Sequence, residues 1–122
     1  MKHNPGFLKL VEAAKARVKE CTIAEAKAKL DRGEVAHFLD VREDHEFAKD
    51  HAKGARHLAK GIIERDIETL IPDKRAAIIL YCGGGYRSAL AADALGQMGY
   101  TSVVSMDGGI KAWRDAGYPM EQ

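Results

Sequence analysis

The segment Tyr81-Cys-Gly-Gly-Gly-Tyr-Arg-Ser88 carries the residues best suited to chemistry. Cys82 becomes a nucleophile as a thiolate, and its surroundings decide whether that state is favoured. Glycines at 83, 84 and 85 let the backbone turn tightly and approach a ligand closely. The amides of such a turn can converge into an anion-binding nest. A helix predicted to start near Ser88 adds partial positive charge at its N-terminus, and Arg87 adds a full one. Cys82 is therefore the candidate nucleophile, and Gly83, Gly84, Gly85, Tyr86, Arg87 and Ser88 form the candidate anion-binding loop. A free cysteine is otherwise most often a small buried residue. The glycine turn, the arginine and the helix start set Cys82 apart from that background. The loop lacks the Gly-Lys-Ser/Thr ending of a nucleotide P-loop and the last glycine of a dinucleotide fingerprint.

The elements around this loop follow from hydrophobic periodicity. Val35–Val41, Ala76–Tyr81 and Thr101–Ser105 are short apolar runs and read as buried strands, with a further short strand over Ala55–Leu58. Thr22-Ile-Ala-Glu25 is a capping box opening a helix with Ile23, Ala26 and Leu30 on one face and Gly33 at its end. Glu43–Lys49 reads as one or two helical turns. Ile62, Ile63, Ile67 and Leu70 predict a helix that stops near Pro72. Ser88–Met98 and Ile110–Ala116 are the last two helices. Strands alternating with helices imply a mainly parallel sheet covered on both faces, an α/β fold. Ligands in such folds sit beyond the carboxyl ends of the strands, where Cys82 falls. Phe7, Val11, Ala14 and Val18 recur at helical spacing and predict an amphipathic N-terminal helix. Its apolar stripe would cover a domain edge or meet another subunit.

The resemblance to a known family is carried by several segments in order. Cys82-x-x-Gly85-x-Arg87-Ser88 resembles the active-site loop of rhodanese-like domains. Leu39-Asp-Val-Arg-Glu43 is similar to the family's Asp-Val-Arg motif, and His51-Ala-Lys-Gly-Ala55 to its His-Ile-Pro-Gly-Ala segment, with Ala52 and Lys53 as departures. Gly108-Gly109, Trp113 and Gly117-Tyr-Pro119 resemble its C-terminal signature. The resemblance spans roughly residues 21 to 120, leaving residues 1–20 as an N-terminal helical extension to a rhodanese-like domain over 21–122. It implies a five-stranded, mainly parallel sheet flanked by helices on both faces. It also implies sulfur transfer through a Cys82 persulfide, from thiosulfate or a persulfide donor to cyanide or a thiol, a protein thiol included. Asp40 and Arg42 resemble family residues that brace the architecture, as buried ion pairs commonly do. Members that prefer thiosulfate often carry a basic residue directly after the cysteine, where this chain has Gly83.

Two other functions compete with sulfur transfer. One is a rhodanese-fold phosphatase or arsenate reductase; the loops of such enzymes place five residues between Cys and Arg, whereas four separate Cys82 from Arg87. A shorter loop shrinks the cradle that a tetrahedral phosphoryl group needs. A binding module that uses the fold without turnover is the other alternative, and retention of Cys82 with Arg87 argues against it.

The remaining residues have structural readings. His51 and His57 are expected in loop or core packing, Trp113 as a core anchor, and Cys21 as a small buried residue. The 5 histidines show no metal-ligand spacing, and Cys21 is far from Cys82 in sequence, so neither metal nor other cofactor is expected. The 122 residues suit one domain able to bury a core without disulfides. With 46% hydrophobic residues, 30% charged residues and a net charge of +1, no overall field favours nucleic acid or a membrane surface. The N-terminus does not read as a secretory signal, so a cytoplasmic monomer or homodimer is the expectation.

Overall fold

Side chains of a strand alternate between the two faces of its sheet, and in a sheet covered on both faces each alternate set needs its own core. The central strand shows both sets. Ile78 and Leu80 enter one buried cluster with Leu39, Ile63, Ile67 and Leu95, while Ile79 and Tyr81 enter another with Phe38, Met106 and Trp113. This is why the run from Ala76 to Tyr81 reads as continuously apolar rather than alternating. Ile63 and Ile67 are wholly buried, and side chains of this type contribute about 1.5–3 kcal/mol each.

The computed structural model describes residues 2–122. The first half runs α1 (Pro5–Lys15), β1 (Lys19–Cys21), α2 (Ile23–Asp31), β2 (His37–Asp40), α3 (Asp44–Lys49), β3 (His51–Ala52) and β4 (Arg56–His57). The second half runs α4 (Lys60–Leu70), β5 (Ile78–Tyr81), α5 (Tyr86–Gln97), β6 (Val103–Met106), α6 (Gly109–Asp115) and β7 (Met120–Glu121). Five strands pair in the order β1-β6-β5-β2-β4, and every pairing in that sheet is parallel. The expected α/β sheet is therefore present. A small antiparallel pair, β3 with β7, ties the chain end to the segment after α3.

Three details depart from the periodicity. The edge strand β1 is not visible in it, because Lys19 and Glu20 are exposed and only Cys21 turns inward. Its partner is β6, with Lys19 opposite Val104. The predicted stripe of the first helix also ends early: Val18 lies beyond Lys15, and the helix buries Val11 and Ala14. That face packs on α5. Third, α5 begins at Tyr86, two residues before the predicted start, so Arg87 and Ser88 lie in its first turn. The capping box of α2 forms as predicted: the Thr22 amide donates to Glu25 Oε1 at 2.8 Å, and the Glu25 amide donates to Thr22 Oγ1 at 3.1 Å. Among the described residues, no helix is long and apolar enough to cross a membrane.

Candidate active site

Cys82 is the first residue beyond β5, and Gly85 is the N-cap of α5. The chain turns back between them through the left-handed region, with Gly85 at φ +104°. The conformation favours glycine, and a Cβ there would also stand a tight 3.2 Å from both Asp107 Oδ1 and the Gly108 amide. The turn delivers two amides to sulfur. The Gly85 N–H donates to Cys82 Sγ at 3.2 Å and the Ser88 N–H at 3.3 Å. Donors so aimed complement negative charge on the sulfur.

The loop carbonyls are occupied elsewhere. Cys82 O accepts from the Ile110 amide at 2.9 Å and Gly83 O from the Lys111 amide at 3.1 Å. The first turn of α6 thus holds the oxygens of this loop away from the sulfur. The approach is so close that a Cβ on Gly109 would lie 2.5 Å from Cys82 O. This gives Gly109 its physical reason, while Gly108, at φ +83°, would bring a Cβ to 2.7 Å from Ala112 Cβ.

Behind the sulfur lies a buried pair of hydroxyls. Ser88 Oγ is 3.5 Å from Sγ and 2.8 Å from Ser105 Oγ. Both serines are fully buried. In front, Cys82 forms the floor of an open cavity of about 830 Å³. Gly83, Gly84, Tyr86 and Arg87 line it, and so do Arg42, Glu46, Lys111 and Arg114. Cys82 itself is only 1% exposed, so a reactant reaches sulfur through this mouth.

The family match begins within this frame and covers the whole loop: the model of the rhodanese-like domain matches residues 22–116. The chain belongs to the rhodanese-like family. It is 35% identical over 75 residues to the thiosulfate sulfurtransferase PspE of Escherichia coli, covering 62% of this chain and 71% of the relative. A solved structure from Rhodopseudomonas palustris, of a protein of unknown function named as a possible tyrosine phosphatase, superposes with a TM-score of 0.87 at 28% identity. It covers 99% of this chain and 98% of its own. An E. coli rhodanese solved with anions gives a TM-score of 0.61 at 32% identity, over 70% of this chain and 96% of that one.

In this rhodanese-like chain Asp40 and Arg42 form a buried bidentate pair. Arg42 Nε and Nη2 donate to the Asp40 carboxylate at 2.8–3.1 Å, and Nη2 also donates to Asp50 O at 2.6 Å. Burial pulls the Arg42 guanidinium down, but the bonds and charge of Asp40 outweigh it, and the net direction is up. The pair links the end of β2 to the end of α3. Arg42 also reaches the cavity wall. His51 and His57 stack on Phe47 at 3.9 and 4.7 Å and do not line the cavity. Trp113 is buried and donates to Pro119 O at 2.8 Å. Cys21 ends β1, which β6 separates from β5. Burial pushes its thiol up to about 11.

The sequence motifs do not point to Glu46. Its Oε1 accepts from Arg87 Nη1 at 2.7 Å and from the Glu43 amide at 3.0 Å. The Arg87 guanidinium beside it pulls the Glu46 carboxyl down to about 2. Arg87 is raised in turn, first by its hydrogen bonds to Glu46. Arg87 therefore reaches the mouth already paired, which tempers the free positive charge expected of it. The Glu43-x-x-Glu46 spacing at a helix start signals a cap, but nothing local signals a partner 41 positions away. Ser105 was equally hidden, because a serine inside a strand reads as core.

Proposed function

We propose that the protein is a sulfurtransferase that carries sulfane sulfur on Cys82 as a persulfide. The observation that carries this reading is the Sγ at the cavity floor, facing two amide donors at 3.2 and 3.3 Å. Thiolate Cys82 attacks the outer sulfur of thiosulfate or of a persulfide donor. A new S–S bond forms to Cys82, the donor's own S–S bond breaks, and the electron pair leaves with sulfite or a thiolate. This is covalent catalysis with an activated nucleophile. The outer sulfur of the persulfide then passes to the carbon of cyanide, or to a thiolate, a protein thiolate included, and Cys82 returns as thiolate. In each step the charge on sulfur falls where the inward-facing amides and the Ser88 hydroxyl can donate to it.

The likeness to thiosulfate sulfurtransferase PspE and to a rhodanese solved with anions supports the reading. The name of the R. palustris structure favours a second one, phosphate ester hydrolysis. Two features weigh against it. Four residues separate Cys82 from Arg87, and the carboxylate at the mouth, Glu46, is held by Arg87 rather than free to protonate a leaving group.

Parallel assays separate the two. The expected result is thiocyanate from thiosulfate and cyanide, lost in Cys82→Ser, with no release of nitrophenol from nitrophenyl phosphate. Phosphatase turnover that depends on Cys82, without thiocyanate, would replace the sulfurtransferase reading.

A further inference from the structure

We infer that the N-terminal segment, through His3 and through Phe7 of α1, supplies a specificity wall to the mouth above Cys82, and that this wall selects an organic persulfide or thiol bearing a carboxylate over inorganic thiosulfate. The chemistry rests on the sulfurtransferase reading, but the wall rests on geometry alone. His3 and Phe7 lie outside the residues matched by the family model, 22–116, yet both line the same cavity as Cys82. They meet Tyr86 of the loop in a three-ring cluster. The centroid distances are 4.7 Å for His3–Tyr86, 6.2 Å for Phe7–Tyr86 and 5.3 Å for His3–Phe7. All three rings are partly exposed. Such tilted contacts are ordinary for packed aromatics, but here the rings border open space rather than core.

The wall is fixed in place. Val11 and Ala14 bury the helix face that packs on α5. Lys15, at the helix end, pairs with Glu20 at 3.1 Å and Asp107 at 3.4 Å, and its Nζ stands 5.5 Å from the Tyr86 ring centre. The R. palustris structure covers 99% of this chain, so a relative of nearly equal length carries a matching N-terminal segment.

Size and charge name the occupant. A cavity of about 830 Å³ falls in the range of about 300–1,000 Å³ that suits ligands with a substantial body. Thiosulfate would leave most of it to water. An aromatic wall offers a small dianion nothing, while it offers an organic body apolar contact. Lys111 on α6 supplies the anion contact: its side chain is 79% exposed and its ion pair with Asp115, at 3.1 Å, is made in solvent. Exposed pairs of that kind yield readily to a competing carboxylate.

The test uses the full chain carrying Cys21→Ala, so that Cys82 is the only thiol. Cys82 modification is timed with iodoacetamide, which is small, and with dithiobis-nitrobenzoate, an aromatic disulfide bearing carboxylates. Phe7→Ala and His3→Ala should each slow the aromatic reagent relative to iodoacetamide, by about three- to ten-fold. Phe7→Leu, which keeps an apolar body and spares the helix, should lie between. An unchanged ratio, or a faster aromatic reagent in Phe7→Ala, overturns the wall. With glutathione persulfide as donor, the same variants should raise KM by about three-fold or more at nearly constant kcat, while kcat/KM for thiosulfate moves by less than about two-fold. Equal loss with both donors overturns the selectivity. Absence of turnover with either donor in the parent would defeat the sulfurtransferase reading, whereas the modification ratio would still decide the wall.

Discussion

Glu46 grips the Arg87 guanidinium at two points, Nη1 to Oε1 at 2.7 Å and Nη2 to Oε2 at 3.2 Å. One carboxylate therefore offsets a cation at the mouth and also caps α3 through the Glu43 amide. Glu46→Gln keeps the shape and a cap acceptor while removing the negative charge. The expected outcome is a thiosulfate KM lower by about two- to five-fold, with the gain shrinking as salt rises and screens exposed charge. A KM that stays constant or rises would show that Arg87 needs Glu46 to be positioned at all.

The same pair predicts a pH dependence. The Glu46 carboxyl is pulled from 4.5 to about 2 by the Arg87 hydrogen bonds. A carboxyl with a lowered folded-state pKa stabilises the fold fully above its unfolded value and loses that contribution as protons bind. The gap in Tm between parent and Glu46→Gln should therefore hold above about pH 4.5 and close as pH falls towards 2. A gap that widens on acidification would contradict this assignment.

Gly83 tests why the loop departs from thiosulfate-preferring relatives. The left-handed backbone that a glycine turn demands falls on Gly85 and not on Gly83. A Cβ on Gly83 would meet only Arg87 Nη2, at 3.1 Å, the far end of a flexible side chain. Gly83→Ala should therefore keep turnover within about two-fold, whereas Gly85→Ala should lose most of it. Gly83→Arg should lower the thiosulfate KM several-fold in a salt-sensitive way, since an added exposed charge gives about 1 kcal/mol. If Gly83→Ala alone abolishes turnover, the backbone and not the missing charge explains this position.

Ser105→Ala probes the buried hydroxyl pair. With sulfur as thiolate, Ser105 can donate to Ser88 Oγ at 2.8 Å while Ser88 donates to Sγ at 3.5 Å. Deleting one member of a buried hydrogen bond costs about 1–3 kcal/mol. Urea unfolding should show a loss of that order, and alkylation of Cys82 at fixed pH should slow several-fold. Unchanged values in both would leave Ser105 without influence on the nucleophile.

Much of this was legible in the sequence because it depends on local order. The strands β2, β5 and β6 announce themselves as apolar runs, and the α2 capping box by its spacing. The Cys82 loop stands out because glycines, an arginine and a helix start adjoin one thiol. What stayed hidden depends on partners distant in the chain. The edge strand β1 has one buried residue and is fixed by pairing with β6. Glu46 and Ser105 acquire their roles from Arg87 and Ser88. His3 and Phe7 reach the mouth only because Val11 and Ala14 seat α1 on α5. Three-dimensional proximity of that kind leaves no periodic trace.

The central claim is that Cys82 holds the transferred sulfur. Mass spectrometry of the full chain after incubation with thiosulfate tests it most directly. The account predicts a gain of about one sulfur atom on the peptide containing Cys82, removed by reductant or by cyanide with release of thiocyanate. Cys21 should stay unmodified, since burial raises its thiol to about 11. Cys82→Ser should gain nothing while remaining folded. Sulfur on Cys21, or thiocyanate formation that persists in Cys82→Ser, would contradict the account.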